Sequence, residues 1–271
     1  MNTKGFYKKT IEERRKIIKE LTGVNYSETS EIGLKDANIM IENVVSTTRL
    51  PVGIATNFVI NGKSLLVPMA VEETSVVAAA SNAAKTAAET GGFKTESSEP
   101  VMDGQIQVLG ADKETETKII DNEAELVAYA NEANPSMAKR GGGARAIETH
   151  WSGPYLVVHV LFDVRDAMGA NTVNSACETL SKKIEELTGK KTGLRILTNL
   201  CVHRTAKATA TFPKSVLGEE TVNAILGAYD FAEKDAYRCC TNNKGIMNGV
   251  DAVAIATGND WRAIEAGAHC Y

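Results

Sequence analysis

Apolar positions in this chain switch repeatedly between a helical and an alternating period, and the switches mark the expected elements. Thr10-Ile11-Glu12-Glu13 is a capping-box pattern that opens a short helix to about residue 21. A second helix is expected over residues 33–45, carrying Ile39, Ile41, Val44 and Val45. Residues 52–60 and 63–71 read as strands joined by Asn61-Gly62, the strongest short hairpin signal. Thr74 or Ser75 is placed to cap an alanine-rich helix over residues 76–90, which Gly91-Gly92 terminates.

The middle of the chain changes character. Strands are expected over 105–109, 146–151, 154–164 and 194–197, with helices over 122–131 and 171–187. The order is β-α-β-β-α-β, the split βαβ or ferredoxin-like plan. We therefore expect an α+β protein in which a larger mixed α/β domain (residues 1–99 and 200–271) is interrupted by a small domain at 100–199. Beyond residue 200 the pattern returns to mixed elements: a strand over 206–212, a helix over 222–234, and a helix in progress over 263–269. The sequence stops there with no cap and no polar tail, as expected of a fold cut short.

Composition narrows the function classes. The 271 residues are 43% hydrophobic and 24% charged, the balance of an ordinary globular protein. The net charge of −4 gives no basic excess for nucleic acid. With no apolar signal core and no long apolar run, a cytoplasmic protein without a membrane span is expected. Five cysteines without a CxxC spacing point to reduced thiols rather than a disulfide frame or a metal site, with Cys239-Cys240 as packing.

The chemistry concentrates late in the chain. Lys244 and Asp260 stand sixteen residues apart, each among glycines and amides, around an apolar segment at 250–257. That layout suits a buried helix with a charged group at each end. A buried lysine needs a carboxylate partner to stay charged, and a charged lysine in a dry site stabilises a developing oxyanion. Glu72-Glu73 reads either as first-turn acids favoured by the helix dipole or as a carboxylic acid beside Lys244. Gly141-Gly142-Gly143-Ala144-Arg145 is a turn or a phosphate loop. Asp166-Ala167-Met168-Gly169-Ala170-Asn171 joins an apolar strand to a helix, either as a tight turn or as a place where backbone N–H groups meet a phosphate. A GxGxxG after a strand is missing, which disfavours an ordinary Rossmann dehydrogenase. His150, His159 and His203 lie in strand-like segments without ligand spacing and read as structural.

Several long motifs in order resemble the hydroxymethylglutaryl-CoA (HMG-CoA) reductase family, from about residue 33 onward. They are the segments 50–58, 68–73 and 75–81, then Arg165–Asn171, Lys244–Gly249 and Gly258–Ala263. The Val-Glu-Glu-Thr-Ser context and the lack of a membrane anchor resemble its soluble class II branch. The resemblance implies a large CoA-binding domain interrupted by a ferredoxin-like NAD(P)-binding domain, and a homodimer with active sites at the interface, Glu42–Ser46 matching the dimer-contact segment. It implies a two-hydride reduction of HMG-CoA to mevalonate and CoA. Lys244 would polarise the carbonyl, Glu73 would supply a proton, and Asp260 would hold Lys244. Ser75, Arg238 and Asn248 match positions that hold the hydroxymethylglutaryl part. Asp166, Met168, Gly169, Ala170, Asn171 and Asn199 match the cofactor site.

Two departures from the family pattern matter. The family's histidine that protonates the departing CoA thiolate lies in a C-terminal part this sequence does not contain, so an incomplete reductase is expected, with a separate C-terminal segment as a partner. NAD-preferring members carry an aspartate where Asn134 aligns; neutral Asn134 with Lys139 and Arg140 nearby favours NADPH, with NADH possible. The alternative is a truncated, non-catalytic nucleotide-binding or interaction module that needs a second polypeptide.

Overall fold

The computed structural model describes residues 3–26 and 32–270. Two compact units divide the chain: the first takes the residues up to Lys94 and Thr209–Gly258, the second takes Thr95–Ala208 and the residues from Asn259 onward. Each unit is therefore made of two chain segments, the residues from Asn259 onward grouping with Thr95–Ala208.

In the first unit, α1 (Ile11–Thr22) starts at the expected capping box: Thr10 accepts from the Glu13 N–H while Glu13 accepts from the Thr10 N–H. The hairpin of β1 (Val52–Ile60) and β2 (Lys63–Ala70) turns at Asn61-Gly62, both at positive φ. It is covered by α3 (Val76–Ala88) and by α10 (Ala236–Ala256), which also packs on α9 (Glu219–Lys234); α8 (Lys214–Leu217) precedes α9. Ala55, Met69 and Ala252 form the centre of this small core. Three expectations change here. The second helix, α2, covers only Leu34–Met40, and Ile39, Ile41 and Val45 are exposed; nothing within the unit buries their apolar period. Ser75 precedes α3 with φ at 72° and makes no side-chain cap. The region around Lys244 is no break between elements, because α10 runs unbroken through Lys244, Gly245 and Gly249.

The second unit is built on a four-stranded antiparallel sheet. Its chain order is β4 (Val101–Val108), helices α4 (Lys113–Asp121), α5 (Glu123–Ala133) and α6 (Pro135–Lys139), β5 (Gly143–Ser152), β6 (Tyr155–Asp163), α7 (Ala170–Thr188) and β7 (Thr192–Leu197). The spatial order is β5-β6-β4-β7. Ile106, Val108, Val158, Val160 and Phe162 alternate onto one face, where α4, α5 and α7 bury them with Ile119, Leu126, Val173, Leu180 and Ile184. Short strands β3 (Lys94–Ser97) and β8 (Ala206–Thr209) pair separately, and α11 (Trp261–Ala268) follows. All five cysteines are free thiols, and burial pushes Cys177 up to about 12. Among the described residues no helix is long and apolar enough to cross a membrane, and no group of three or more His, Cys, Asp or Glu side chains is placed to hold a metal ion.

The join between α7 and β7 gives a pH test. The Glu185 carboxylate accepts from the Thr192 N–H and hydroxyl and from Lys191, each at 2.9 Å. The Thr192 backbone bond first, then Lys191, lower its pKa from 4.5 to about 2. A depressed carboxylate pKa adds stability that is present above the unfolded value and is lost as pH falls through the folded one. Denaturant titrations should therefore show Glu185→Gln less stable than the parent near neutrality, with the gap closing between pH 4.5 and about 2. A gap unchanged across that window would mean the charge on Glu185 contributes nothing.

Candidate functional site

The first unit brings together two of the three expected catalytic side chains. Glu73 stands on the short turn between β2 and α3, and its carboxylate accepts from the Lys244 ammonium on α10. The contact links residues 171 positions apart, so it depends on the packing of α10 over the hairpin. The pair is half exposed, with 59% of the Lys244 side chain and 45% of the Glu73 side chain accessible. Lys244 is thus not the buried helix end that its sequence context suggested. Asn248 stands one turn further along α10, on the Lys244 face. Arg238 lies in the first turn, its backbone N–H bound by the Asp235 cap at 2.7 Å, which leaves the guanidinium to act elsewhere. The Ser75 hydroxyl makes no capping bond. Asp260 falls in the second unit, where it accepts the Ala263 N–H at 3.1 Å and caps α11.

In the second unit five of the six expected cofactor residues, Asp166, Met168, Gly169, Ala170 and Asn171, lie at the start of α7. β6 delivers the chain into the 164–169 turn, Gly169 takes φ of 100°, and Ala170 and Asn171 open the helix. No side chain caps α7, so its first-turn N–H groups, at the positive end of a 19-residue helix dipole, face outward for an anion. That is the donor set a dinucleotide pyrophosphate needs. Arg204 holds the turn from the side, donating to the carbonyls of Met168 (3.2 Å) and Ala167 (3.4 Å). Asn199 lies in the same loop as Arg204, five residues before it. Gly267 of α11 backs this loop, since a Cβ there would sit 2.8 Å from the Asn199 carbonyl. Asn134 spends its amide donor on the Ala130 carbonyl at 2.9 Å, a bond no carboxylate could make.

Histidines read as scattered in sequence meet on the open face of the sheet. A cavity of about 330 Å³ is lined by Asp103, Gln105, Glu148, His150, His159 and His203, among others. The register explains it: His159 stands opposite both Gln105 and Glu148. The His150 and His159 rings lie 4.8 Å apart, and burial, then the neighbouring His150, lowers the His159 pKa. His203 Nδ1 lies 2.9 Å from the buried Asp103 carboxylate. The alternation of β4, β5 and β6 carried the necessary signal, but only once strand order was known.

The chain is similar to known proteins in both sequence and fold. The profile of the family described as hydroxymethylglutaryl-coenzyme A reductase matches residues 10–271. A 3-hydroxy-3-methylglutaryl-coenzyme A reductase of Archaeoglobus fulgidus is 50% identical over 98% of this chain and 64% of its own length. A probable reductase of Borreliella burgdorferi is 32% identical with the same coverage. The chain thus spans 64% of the length of these curated relatives. Among solved structures, the Streptococcus pneumoniae reductase superposes with a TM-score of 0.94 at 38% identity, covering 100% of this chain and 78% of that one. A second structure, the class II reductase of the same organism bound to NADPH in open conformations, gives 0.91 at 37% identity, covering 98% and 77%.

Proposed function

We propose that this chain, which belongs to the hydroxymethylglutaryl-coenzyme A reductase family, carries the substrate-polarising and nucleotide-binding parts of a class II enzyme that reduces HMG-CoA to mevalonate and CoA. The observation that carries this reading is the Glu73–Lys244 pair, formed across 171 residues by exactly the two side chains that match the family's catalytic positions. The first unit is the substrate and CoA domain, and the second is the nucleotide domain. The preferred nucleotide is NADPH, in keeping with the NADPH-bound pneumococcal relative and with neutral Asn134. The working form is a cytoplasmic homodimer with Glu42–Ser46 at the contact.

Two molecules of reduced nicotinamide cofactor, bound in succession, would each supply one hydride. The chain's own groups manage charge and protons. The Lys244 ammonium stabilises the carbonyl oxygen as it becomes an oxyanion, first in the thioester and then in mevaldehyde. Glu73, in contact with that ammonium, supplies the proton to the oxygen. By its match to the family's catalytic position, Asp260 is assigned the role of keeping Lys244 charged. Arg238 takes the free carboxylate of the substrate, a pairing its planar guanidinium makes bidentately, with Ser75 and Asn248 on the rest of that group. Asp166, Met168, Gly169, Ala170, Asn171 and Asn199 hold the nucleotide.

The test is oxidation of NADPH and of NADH with HMG-CoA and, separately, with mevaldehyde. Each assay is run on the 271-residue chain alone and with a polypeptide matching the remaining part of the Archaeoglobus relative. Turnover with HMG-CoA in either form supports the reading. A folded chain that binds NADPH but turns over neither substrate in either form would favour a nucleotide-binding module instead.

A further inference from the structure

Asp163, the last residue of β6, is 1% exposed yet ionisable, and the mechanism above does not use it. It accepts from Arg145 Nη2 at 2.6 Å and from the Arg165 N–H at 2.9 Å, and Arg165 Nε lies 3.6 Å away. Burial pushes its carboxyl up, but the Arg145 bond, the Arg165 N–H and the two guanidinium charges outweigh burial and hold it below the usual range. Both arginines then reach the same acceptor: Arg145 Nη2 donates to the Gly141 carbonyl at 3.1 Å, and Arg165 Nη2 makes a short bond to it. Arg165 itself sits at φ of 52°, a left-handed conformation a side chain with Cβ adopts only when held there.

These contacts join two loops that the sheet no longer joins. The β5–β6 register ends at Gly143 opposite Asp163. Beyond it the chain leaves as the glycine loop at 141–142 on one side and as the 164–169 turn on the other. The loops run close, since a Cβ on Gly142 would stand 2.6 Å from the Asp163 carbonyl. Arg145 and Arg165 remain 46% and 43% exposed. From this geometry we infer that Asp163 is a positioning residue: through Arg145 and Arg165 it clamps the Gly141–Gly142 loop to the turn that opens α7, and so fixes the spacing on which nucleotide binding depends. The inference rests on reading the second unit as the nucleotide domain.

Two variants test it by NADPH fluorescence titration alongside thermal melting. In Asp163→Asn an amide donor faces the Arg145 donors, and NADPH binding should weaken by about tenfold or more, the loss expected of a charge-assisted bond. Arg165→Gly removes the second tie while relieving the left-handed strain. It should melt within a few degrees of the parent or above it, yet also bind NADPH several-fold more weakly. That split between unchanged melting and weakened binding is one a purely structural role would not produce. If the parent binds NADPH and Arg165→Gly binds it equally well, the clamp is wrong and the nucleotide reading stands. If the folded parent binds no NADPH, the nucleotide reading fails and the clamp falls with it.

Discussion

Replacing Lys244 with methionine is expected to lower HMG-CoA reduction by about 10²–10³-fold, the loss typical when a donor to a developing oxyanion is removed. The reasoning separates this effect from folding. Methionine keeps helix propensity and much of the side-chain length, and the Lys244 side chain is 59% exposed on a helix of 21 residues, so α10 should form as before. The exposed ion pair with Glu73 adds little stability, as surface pairs generally do. Melting should therefore barely move while turnover collapses, and substrate binding should suffer far less than the rate, because the ammonium acts on charge that appears only in the transition state. Comparing kcat and KM for the variant in the form that turns over HMG-CoA checks this. A variant that keeps parental kcat would remove Lys244 from the chemistry.

The same residue shows where sequence reasoning reached and where it stopped. Lys244 stood out from its polar, glycine-rich surroundings and Glu73 from the Glu72-Glu73 pair, both matched the family resemblance, and both lie in the pair that forms. Their meeting stood as only one of two readings of Glu72-Glu73, because it depends on α10 being laid across the hairpin. Local context instead suggested a helix beginning after Lys244. Gly245 and Gly249 lower helix propensity by about 1 kcal/mol each relative to alanine, yet Met247, Ala252 and Ala254 are buried by packing, which overrides that preference.

The fold divides along the same line. Thr10 with Glu13 and Asn61 with Gly62 are local signals, complete within four residues, and both appear where expected. Helix α4 escaped notice because Lys113–Asp121 is mostly Lys, Glu and Thr. It is held by the Asp112 cap and by Glu116, buried and bound by Lys113, Trp151 and Thr149. A buried carboxylate satisfied by residues more than thirty positions away leaves no periodic trace. The opposite error occurred at Ile41 and Val45, whose apolar period suggested a longer α2 but which are 64% and 91% exposed. The histidine-lined cavity belongs with α4: its side chains meet through strand order, which spacing along the chain does not encode.

Gly169→Val is expected to damage both the second unit and its nucleotide site. Gly169 holds φ of 100°, outside the region that residues with a Cβ adopt readily. The position also lacks room: a Cβ would meet Met102 Sδ at 2.6 Å and Val164 Cγ1 at 2.7 Å, both against the main core. Strained backbone costs about 1–3 kcal/mol, and forcing extra carbons into a packed core costs about 1–3 kcal/mol more. Much of that strain can be released only by moving the turn, which would carry Met168 away from Arg204 and reorient the uncapped N–H groups of Ala170 and Asn171. Melting should fall by several degrees, and NADPH binding should be lost even at temperatures where the variant is folded. Gly189, which ends α7 at φ of 71° with open space around it, supplies the control. Gly189→Val meets the backbone strain without the clash, so it should lower stability while leaving NADPH affinity near the parental value. Equal loss of binding in both variants would mean that stability of α7, rather than the geometry of its first turn, governs the nucleotide site.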